Sequence, residues 1–296
     1  ASDWSSDVCS SDLKHMLPIK RSFFKIGGVV MISLMIILMA CNQYPYAKTN
    51  QWYKKHTKEL IQLIKADPSV QTIDSLPKAN QWVGTTNFDL RKPNFVVIHH
   101  TAQNSCEQTL KTFTLERTKV SAHYVICKDG TIHHMLNDYM RAWHGGISKW
   151  GNNIDLNSSS IGIELDNNGF EPFDTAQINS LLLLLAQLKQ QYKIPEANFI
   201  GHSDIAPTRK VDPNIQFPWH LLAQKGYGVW FEPDAKLNLP SQMSIPFALA
   251  MVGYDVKDTT AAILAFKRHF RADSTATITD NDKSVLYQLI QNKLSH

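Results

Sequence analysis

Short apolar runs, separated by one long helical pattern, constrain the fold of this chain more than any other feature. A helix is predicted from Asp174 or Thr175 to Tyr192, with an apolar run at Leu181–Leu185. The strand signals, of period two, lie at Phe95–His99, His123–Cys127, Ile132–Met135, Ile161–Leu165 and Phe199–Gly201. Strands with helices between them predict an α/β domain with a central mixed β-sheet flanked by helices.

A small helical domain is predicted to follow this α/β domain. The stretch 231–245 is rich in proline and has no regular period, which is typical of a linker. Beyond it, helical patterns occur at Phe247–Val252, Thr259–Phe270 and Asn281–Leu294. The sequence therefore predicts an α/β domain over 94–230, a linker over 231–245 and a three-helix domain over 246–296. Residues 41–93 are expected to be an N-terminal extension, with one helix at Trp52–Lys65.

The first 40 residues resemble targeting sequence rather than a folded domain. Residues 1–15 have no periodicity and are interpreted as a non-native leader. Residues 16–40 are predicted to be a lipoprotein signal peptide, in which basic residues precede an apolar run, 26–39, that is shorter than the about 20 residues of a membrane span. The run ends in Leu-Met-Ala-Cys41, which resembles a bacterial lipobox with Cys41 as the lipidated residue. Asn42, rather than Asp, favours an outer-membrane lipoprotein that faces the periplasm; an uncleaved anchor or a plain secretory signal are the alternatives.

Charge and cysteine content add less. The net charge of +4 is too small to indicate a nucleic-acid partner, which would need a concentrated basic face. Cys106 and Cys127 are the two cysteines left after the N-terminal region. An oxidising compartment would permit a disulfide between them, and free buried thiols are equally compatible with the sequence. We expect a monomer.

Polar segments at two predicted strand ends supply zinc-ligand side chains. His99 and His100 end the first strand and point to opposite sides of a sheet, so only one of them readily faces a given site. His202 begins a loop after the last strand, and Asp212 follows in an extended stretch. One strand-end histidine, His202 and Asp212 would make three ligands and leave a fourth position open, as a hydrolytic zinc site requires. Lys210 would project in the same direction as Asp212.

A carboxylate on the neighbouring strand could act as a general base beside such a site. In Ile161–Leu165, alternation places the aliphatic side chains on the core face and Glu164 on the other face. Asp166 shares the face of Glu164, so spacing alone does not tell which carboxylate would act. A solvated surface charge is the alternative interpretation of Glu164.

Five motifs in fixed order then give a specific resemblance. They are His99-His100-Thr-Ala, Ser121-Ala-His123-Tyr, Ala142-Trp143-His144-Gly-Gly, Ser160-Ile-Gly-Ile-Glu164 and Gly201-His202-Ser-Asp-Ile-Ala-Pro207. Together they resemble the zinc N-acetylmuramoyl-L-alanine amidases of the amidase-2 family, close to its AmiD-like lipoproteins and more distantly to T7 lysozyme and the peptidoglycan recognition proteins. The C-terminal helices resemble a small peptidoglycan-binding-like domain.

The resemblance implies a role for each candidate residue. It selects His99 rather than His100 as the ligand of a single Zn²⁺, together with His202 and Asp212. Asp212 stands where phage-type relatives have cysteine, which indicates the AmiD-like branch. Glu164 matches the catalytic glutamate, and Lys210 matches a lysine that steadies the oxyanion.

The implied reaction is cleavage of the amide between the lactyl group of N-acetylmuramic acid and L-alanine, with peptidoglycan or muropeptides as substrate. Trp143 and His144 are expected to contact that substrate, whereas His123 is expected to be structural. A peptidoglycan-binding lipoprotein without activity is one alternative, although it would not need all the ligands and Glu164. A cysteine peptidase is another, but Cys106 and Cys127 lack a motif with a positioned histidine.

Overall fold

The computed structural model describes residues 44–65, 85–235 and 237–295, which divide between two units, 1–84 and 85–296. The described part of the first unit contains helix α1, Ala47–Lys65, which confirms the helix predicted from Trp52 and begins earlier. The leader, the signal segment and Cys41 lie outside the described residues. Within the described ranges, no helix is both long enough and apolar enough to span a membrane.

A five-stranded mixed sheet lies at the centre of the second unit. Its spatial order is β3-β2-β4-β1-β5; β2 and β3 pair antiparallel, and every other pair is parallel. This arrangement confirms the predicted α/β class. The strands are β1 Phe95–His100, β2 Tyr124–Ile126, β3 Ile132–His134, β4 Ser160–Leu165 and β5 Phe199–Gly201.

Helices cover the sheet. The longest of them, α4, begins and ends where the sequence predicts, and its leucines Leu181, Leu185 and Leu188 are fully buried. Each such side chain contributes about 1.5–3 kcal/mol through burial. The helices of this unit are α2 Cys106–Phe113, α3 Leu156–Ser159, α4 Thr175–Tyr192, α5 His202–Ile205, α6 Trp219–Gln224, α7 Ile245–Val252, α8 Thr259–Arg271 and α9 Asp280–Leu294.

Alternation along β1 divides its side chains between the two faces of the sheet. Val96 and Ile98 belong to the core shared with α4, whereas Val97 packs with Leu156 and Ile205 on the other face. Because successive side chains point to opposite faces, His99 lies on the Val97 face. The apolar part of β1 therefore fixes the direction in which His99 points.

Helices α7, α8 and α9 confirm the predicted C-terminal helical region and enclose a hydrophobic core of their own. The segment 231–245, predicted as a linker, has no helix or strand in its described residues before Ile245, the first residue of α7, and it lies against α9. The Glu232 amide donates to Gln288 Oε1, and the Leu237 amide donates to Ser284 Oγ. The polar side chains of α9 hold this segment in place, a contact that composition alone does not indicate.

Candidate active site

The carboxyl ends of three parallel strands meet at one edge of the sheet. β1 pairs with β4 so that His99 lies opposite Glu164, and β1 pairs with β5 so that Ile98 lies opposite Gly201. His202 directly follows β5. The strand register therefore brings His99, Glu164 and His202 to the same edge, although they are far apart in the sequence.

Three side chains at this edge form a compact set of metal-ligand atoms. His99 Nδ1 lies 2.9 Å from His202 Nδ1 and 3.1 Å from Asp212 Oδ2, and His202 Nδ1 lies 3.0 Å from Asp212 Oδ2. Adjacent ligands of a tetrahedral zinc ion, with bonds of about 2.0–2.1 Å, are separated by about 3.3 Å. All three residues are buried. Their spacing thus fits one zinc ion.

The protonation of the three side chains also fits a cation. Burial and the neighbouring His202 lower the pKa of His99 to about 4, so its ring is neutral at pH 7. Burial opposes ionisation of Asp212, but its close contacts with the rings of His202 and His99 outweigh it and hold the pKa of the carboxyl well below its ordinary value. His202 Nε2 lies 3.2 Å from the carbonyl oxygen of Gly145, which can only accept; Nε2 therefore donates this hydrogen bond, and Nδ1 is the nitrogen that faces the other ligand atoms.

Glu164 lies in the same cavity, and one of its carboxyl oxygens has no hydrogen-bond partner among the described residues. This oxygen, Oε2, is buried. Burial raises the pKa of Glu164 to about 8; the Asp212 carboxylate acts in the same direction and Lys210 in the opposite one. An unpaired carboxyl with a raised pKa is typical of a proton-transferring group. Asp166, the other candidate base, follows the end of β4 and does not line this cavity.

The cavity is large enough for part of a substrate. It has a volume of about 360 Å³, and Lys210 and Trp143 line it together with the ligand side chains. Trp143 is 49% exposed, and its backbone is fixed by two hydrogen bonds with Ser121. The structure thus brings Glu164 and Lys210 to the metal-ligand set and leaves an aromatic surface at the cavity wall.

Two other histidines are placed differently from the ligands. His100 lies on the opposite face of β1 from His99, where its Nδ1 accepts a hydrogen bond from the amide of Asn214. His144 is buried, with Nδ1 3.0 Å from His99 Nε2 and Nε2 3.1 Å from Ser160 Oγ. Both ring nitrogens of His144, predicted to contact substrate, are therefore engaged within the protein.

The structure corrects one local prediction and resolves one open alternative. His202 is not in a loop but is the first residue of the short helix α5, capped by Asp204, whose carboxylate accepts from the Gly201 amide. Cys106 and Cys127 form a disulfide that joins α2 to the end of β2. Because both sulfurs are bonded to each other, neither can serve as the nucleophile of a cysteine peptidase.

Two residues that support the site, Asn157 and Ser160, were not predicted from the sequence. Asn157 is buried, and its Oδ1 accepts the backbone amides of His144 and Gly145, which fixes the loop that contacts both histidine ligands. Ser160 contacts His144 from β4. The alternation Ser160, Gly162, Glu164 was the signal available for Ser160, because these residues share one face of the strand.

Fold and site together define an α/β protein with a candidate two-histidine, one-carboxylate metal site at its strand ends. Comparison with known proteins agrees with this class. The model of the amidase-2 family, described as N-acetylmuramoyl-L-alanine amidase, matches residues 89–215. N-acetylmuramoyl-L-alanine amidase AmiD of Escherichia coli (strain K12) is 37% identical over 209 residues, which span 60% of this chain and 74% of AmiD. The chain therefore belongs to the amidase-2 family, the N-acetylmuramoyl-L-alanine amidases, as the sequence motifs predicted.

Other relatives extend the likeness. The 1,6-anhydro-N-acetylmuramyl-L-alanine amidase AmpD of Haemophilus influenzae is 40% identical over 102 residues, which span 34% of this chain and 55% of AmpD. The structure of Escherichia coli AmiD with anhydro-N-acetylmuramic acid-L-Ala-D-gamma-Glu-L-Lys superposes with a TM-score of 0.62 and 29% identity, covering 75% of this chain and 96% of AmiD. AmpDH3 of Pseudomonas aeruginosa, bound to anhydromuramic pentapeptide, gives a TM-score of 0.64 and 28% identity, covering 74% and 99%.

Proposed function

We propose that this chain is a zinc amidase that cleaves the bond between the lactyl group of N-acetylmuramic acid and L-alanine in muropeptides. His99, His202 and Asp212 would hold a single Zn²⁺, because their donor atoms form a buried set with zinc-like spacing. The substrate class is supported by the muropeptides bound in the AmiD and AmpDH3 structures. Trp143 would contact the sugar or lactyl part of the substrate from the cavity wall.

The side chains of the cavity have distinct roles in this reaction. A zinc ion supplies Lewis-acid chemistry to the scissile carbonyl and to a water molecule. Glu164 accepts the proton of that water as it attacks and then donates it to the amino group of L-alanine. Positive charge bound beside Glu164 favours its ionised form, which the base needs at neutral pH. Lys210 lines the cavity, and its side chain stabilises the developing oxyanion.

The unpartnered Glu164 oxygen beside the three ligand atoms is the observation that carries the proposal. A protein that only bound peptidoglycan would have no use for a buried carboxyl oxygen without a hydrogen-bond partner, because such an atom costs stability. Retention of this costly group in a cavity next to a metal-ligand set favours catalysis over binding alone.

Glu164→Gln provides the direct test. We expect the variant to bind one equivalent of zinc but to lose about 10²- to 10⁴-fold in kcat, because the side-chain amide of glutamine cannot accept the proton of the attacking water. Release of stem peptide from purified muropeptides, followed by mass spectrometry with and without chelator, measures the rate. Asp166→Asn is the matched control outside the cavity and should stay within a few-fold of wild type. Near-wild-type turnover by Glu164→Gln, or no cleavage by the zinc-loaded wild type, would contradict the proposal.

We further propose that the chain is an outer-membrane lipoprotein anchored through Cys41, with the amidase facing the periplasm. The Cys106–Cys127 disulfide supports an oxidising compartment. Mass spectrometry of the full-length protein from membrane fractions should detect a diacylated Cys41, and Cys41→Ser should move the protein to the soluble fraction. Unmodified Cys41 in protein that still sediments with membranes would contradict lipidation.

A further inference from the structure

One face of β4 is shaped to hold the ring of His144. Ser160, Gly162 and Glu164 alternate on this face, opposite the aliphatic residues of the core. The ring of His144 lies directly over Gly162, where a Cβ atom would come within 2.4 Å of His144 Cγ. Ser160 Oγ lies 3.1 Å from His144 Nε2. Strand β4 thus offers a gap at Gly162 and a hydrogen-bonding group at Ser160 for one imidazole.

The donor and acceptor of each hydrogen bond in this cluster can be assigned by starting from the carbonyl oxygen of Leu156. Ser160 Oγ also contacts the carbonyl oxygen of Leu156, which can only accept, so the single hydroxyl proton of Ser160 is donated there. Ser160 Oγ must then accept from His144, and His144 Nε2 carries a proton. His144 is buried and forms no ion pair with a carboxylate among the described residues, so its ring is neutral and its Nδ1 has a lone pair.

The same reasoning reaches the candidate metal ligand. His144 Nδ1 lies 3.0 Å from His99 Nε2, and as an acceptor it requires the proton of His99 to be on Nε2. His99 Nδ1 then carries a lone pair that is directed at the other ligand atoms. The next residue, Gly145, accepts from His202 Nε2 through its carbonyl oxygen. Residues 144 and 145 therefore impose the same tautomer on both histidines.

We propose that His144 is a positioning residue for the metal centre: held by Ser160 and Gly162, it fixes His99 in the Nε2-protonated tautomer and keeps His99 Nδ1 free to bind zinc. This role rests on the proposed zinc function and replaces the substrate contact predicted for His144. A histidine ligand whose second nitrogen is fixed by a partner binds metal about 10- to 100-fold more tightly than one without that partner.

Two substitutions of His144 separate this role from a general structural one. His144→Leu removes the acceptor while keeping similar volume, and His144→Asn keeps an acceptor near the position of Nδ1. We expect zinc affinity, measured by competition with a chromophoric chelator, to fall about 10- to 100-fold in His144→Leu and to be restored to within a few-fold in His144→Asn. His134→Leu removes a histidine outside this cavity and should leave the zinc affinity unchanged.

The tautomer is measured directly in the metal-free full chain. With ¹⁵N-labelled histidine, long-range ¹H–¹⁵N correlation should show His99 protonated on Nε2 in wild type and in His144→Asn, and a mixture of tautomers in His144→Leu. Ser160→Ala should weaken zinc binding in the same direction, which provides a test if His144→Leu does not fold. The proposal would be overturned if His144→Leu kept wild-type zinc affinity and an unchanged His99 tautomer. If His144→Leu does not fold, the same two results in Ser160→Ala would overturn it. Neither readout needs substrate, so a zinc-binding wild type without amidase activity would contradict the proposed function and leave this inference standing.

Discussion

At the scale of single residues, Gly162 is the position where packing and chemistry meet most closely. It lies between core residues of β4, yet its own face is covered by the His144 ring. A methyl group there would meet three ring atoms at 2.4–2.7 Å, closer than a Cβ atom approaches non-bonded atoms in proteins. Glycine is therefore required at this position by contact with His144, not by backbone conformation.

Gly162→Ala should consequently disturb the metal centre more than the fold. The displaced His144 ring would lose its contact with His99, and we expect zinc affinity to fall about 10- to 100-fold in a competition titration with a chelator. Ile163→Val, on the core face of the same strand, is the control; it should cost about 0.5–1.5 kcal/mol of stability and leave zinc affinity unchanged. Equal zinc affinity in Gly162→Ala and wild type would show that the ring moves without consequence.

At the scale of elements, the antiparallel hairpin is tied to helix α4 by one carboxylate. Asp138 Oδ2 accepts from Tyr124 of β2 at 3.0 Å and from Tyr192 of α4 at 2.9 Å. His134 of β3 stacks on Tyr124 with ring centroids 4.3 Å apart, and its Nε2 lies 3.3 Å from Asp138 Oδ1. This edge of the sheet is thus held by a polar cluster instead of by apolar burial alone.

The hairpin should be more stable when His134 is protonated. The contact with the Asp138 carboxylate raises the pKa of His134 above its ordinary 6.5, although burial opposes this. A raised folded-state pKa adds stability that is fully present below about pH 6.5 and lost as the pH rises through the folded value. We expect wild type to gain free energy of unfolding, relative to His134→Phe, at pH 5.5 compared with pH 8.5 in urea titrations. A difference between the two proteins that does not change with pH would contradict this coupling.

Elements with a full period of alternating or helical burial were predictable from sequence. Strand β5 and helix α4 have the predicted limits, because their apolar residues repeat with the period of the structure they form. Helix α5 was not predicted, since four residues that include His202 and Asp204 contain no complete period and favour loops. The role of His144 was also hidden, because its partner Ser160 meets it only through the register of β4.

At the scale of the whole second unit, the C-terminal helices hold the segment that carries a metal ligand. Asp204 of α5 is fully buried and accepts from the amide of Gly201, from the hydroxyl of Tyr254 and from His269 of α8. The His269 ring stacks on Trp219 with centroids 3.9 Å apart. Helix α5 begins at His202, so these contacts connect the helical region to the metal site.

The contacts between the C-terminal helices and the metal site could not be predicted from the sequence. Proline content and helical patterns predicted a separate domain after a linker, because the residues that join the two parts have no local signature. Trp230 packs against both the sheet core and the helical core. Peptidoglycan binding by the C-terminal helices stays a prediction. The contacts described above give these helices a second role, which is to hold helix α5 and its metal ligand in place.

Tyr254→Phe tests that role with a single oxygen atom. The substitution leaves one oxygen of the buried Asp204 without its hydroxyl donor, which should cost about 1–3 kcal/mol of unfolding free energy. Because the two parts share buried residues, we expect residues 85–296 to unfold in one cooperative transition whose denaturation midpoint falls as a whole. Tyr287→Phe is the matched control, since no hydrogen bond of the Tyr287 hydroxyl occurs among the described residues, and it should change stability by less than about 0.5 kcal/mol. Two transitions, with only the helical one shifted by Tyr254→Phe, would instead show that the C-terminal helices fold independently of the metal site.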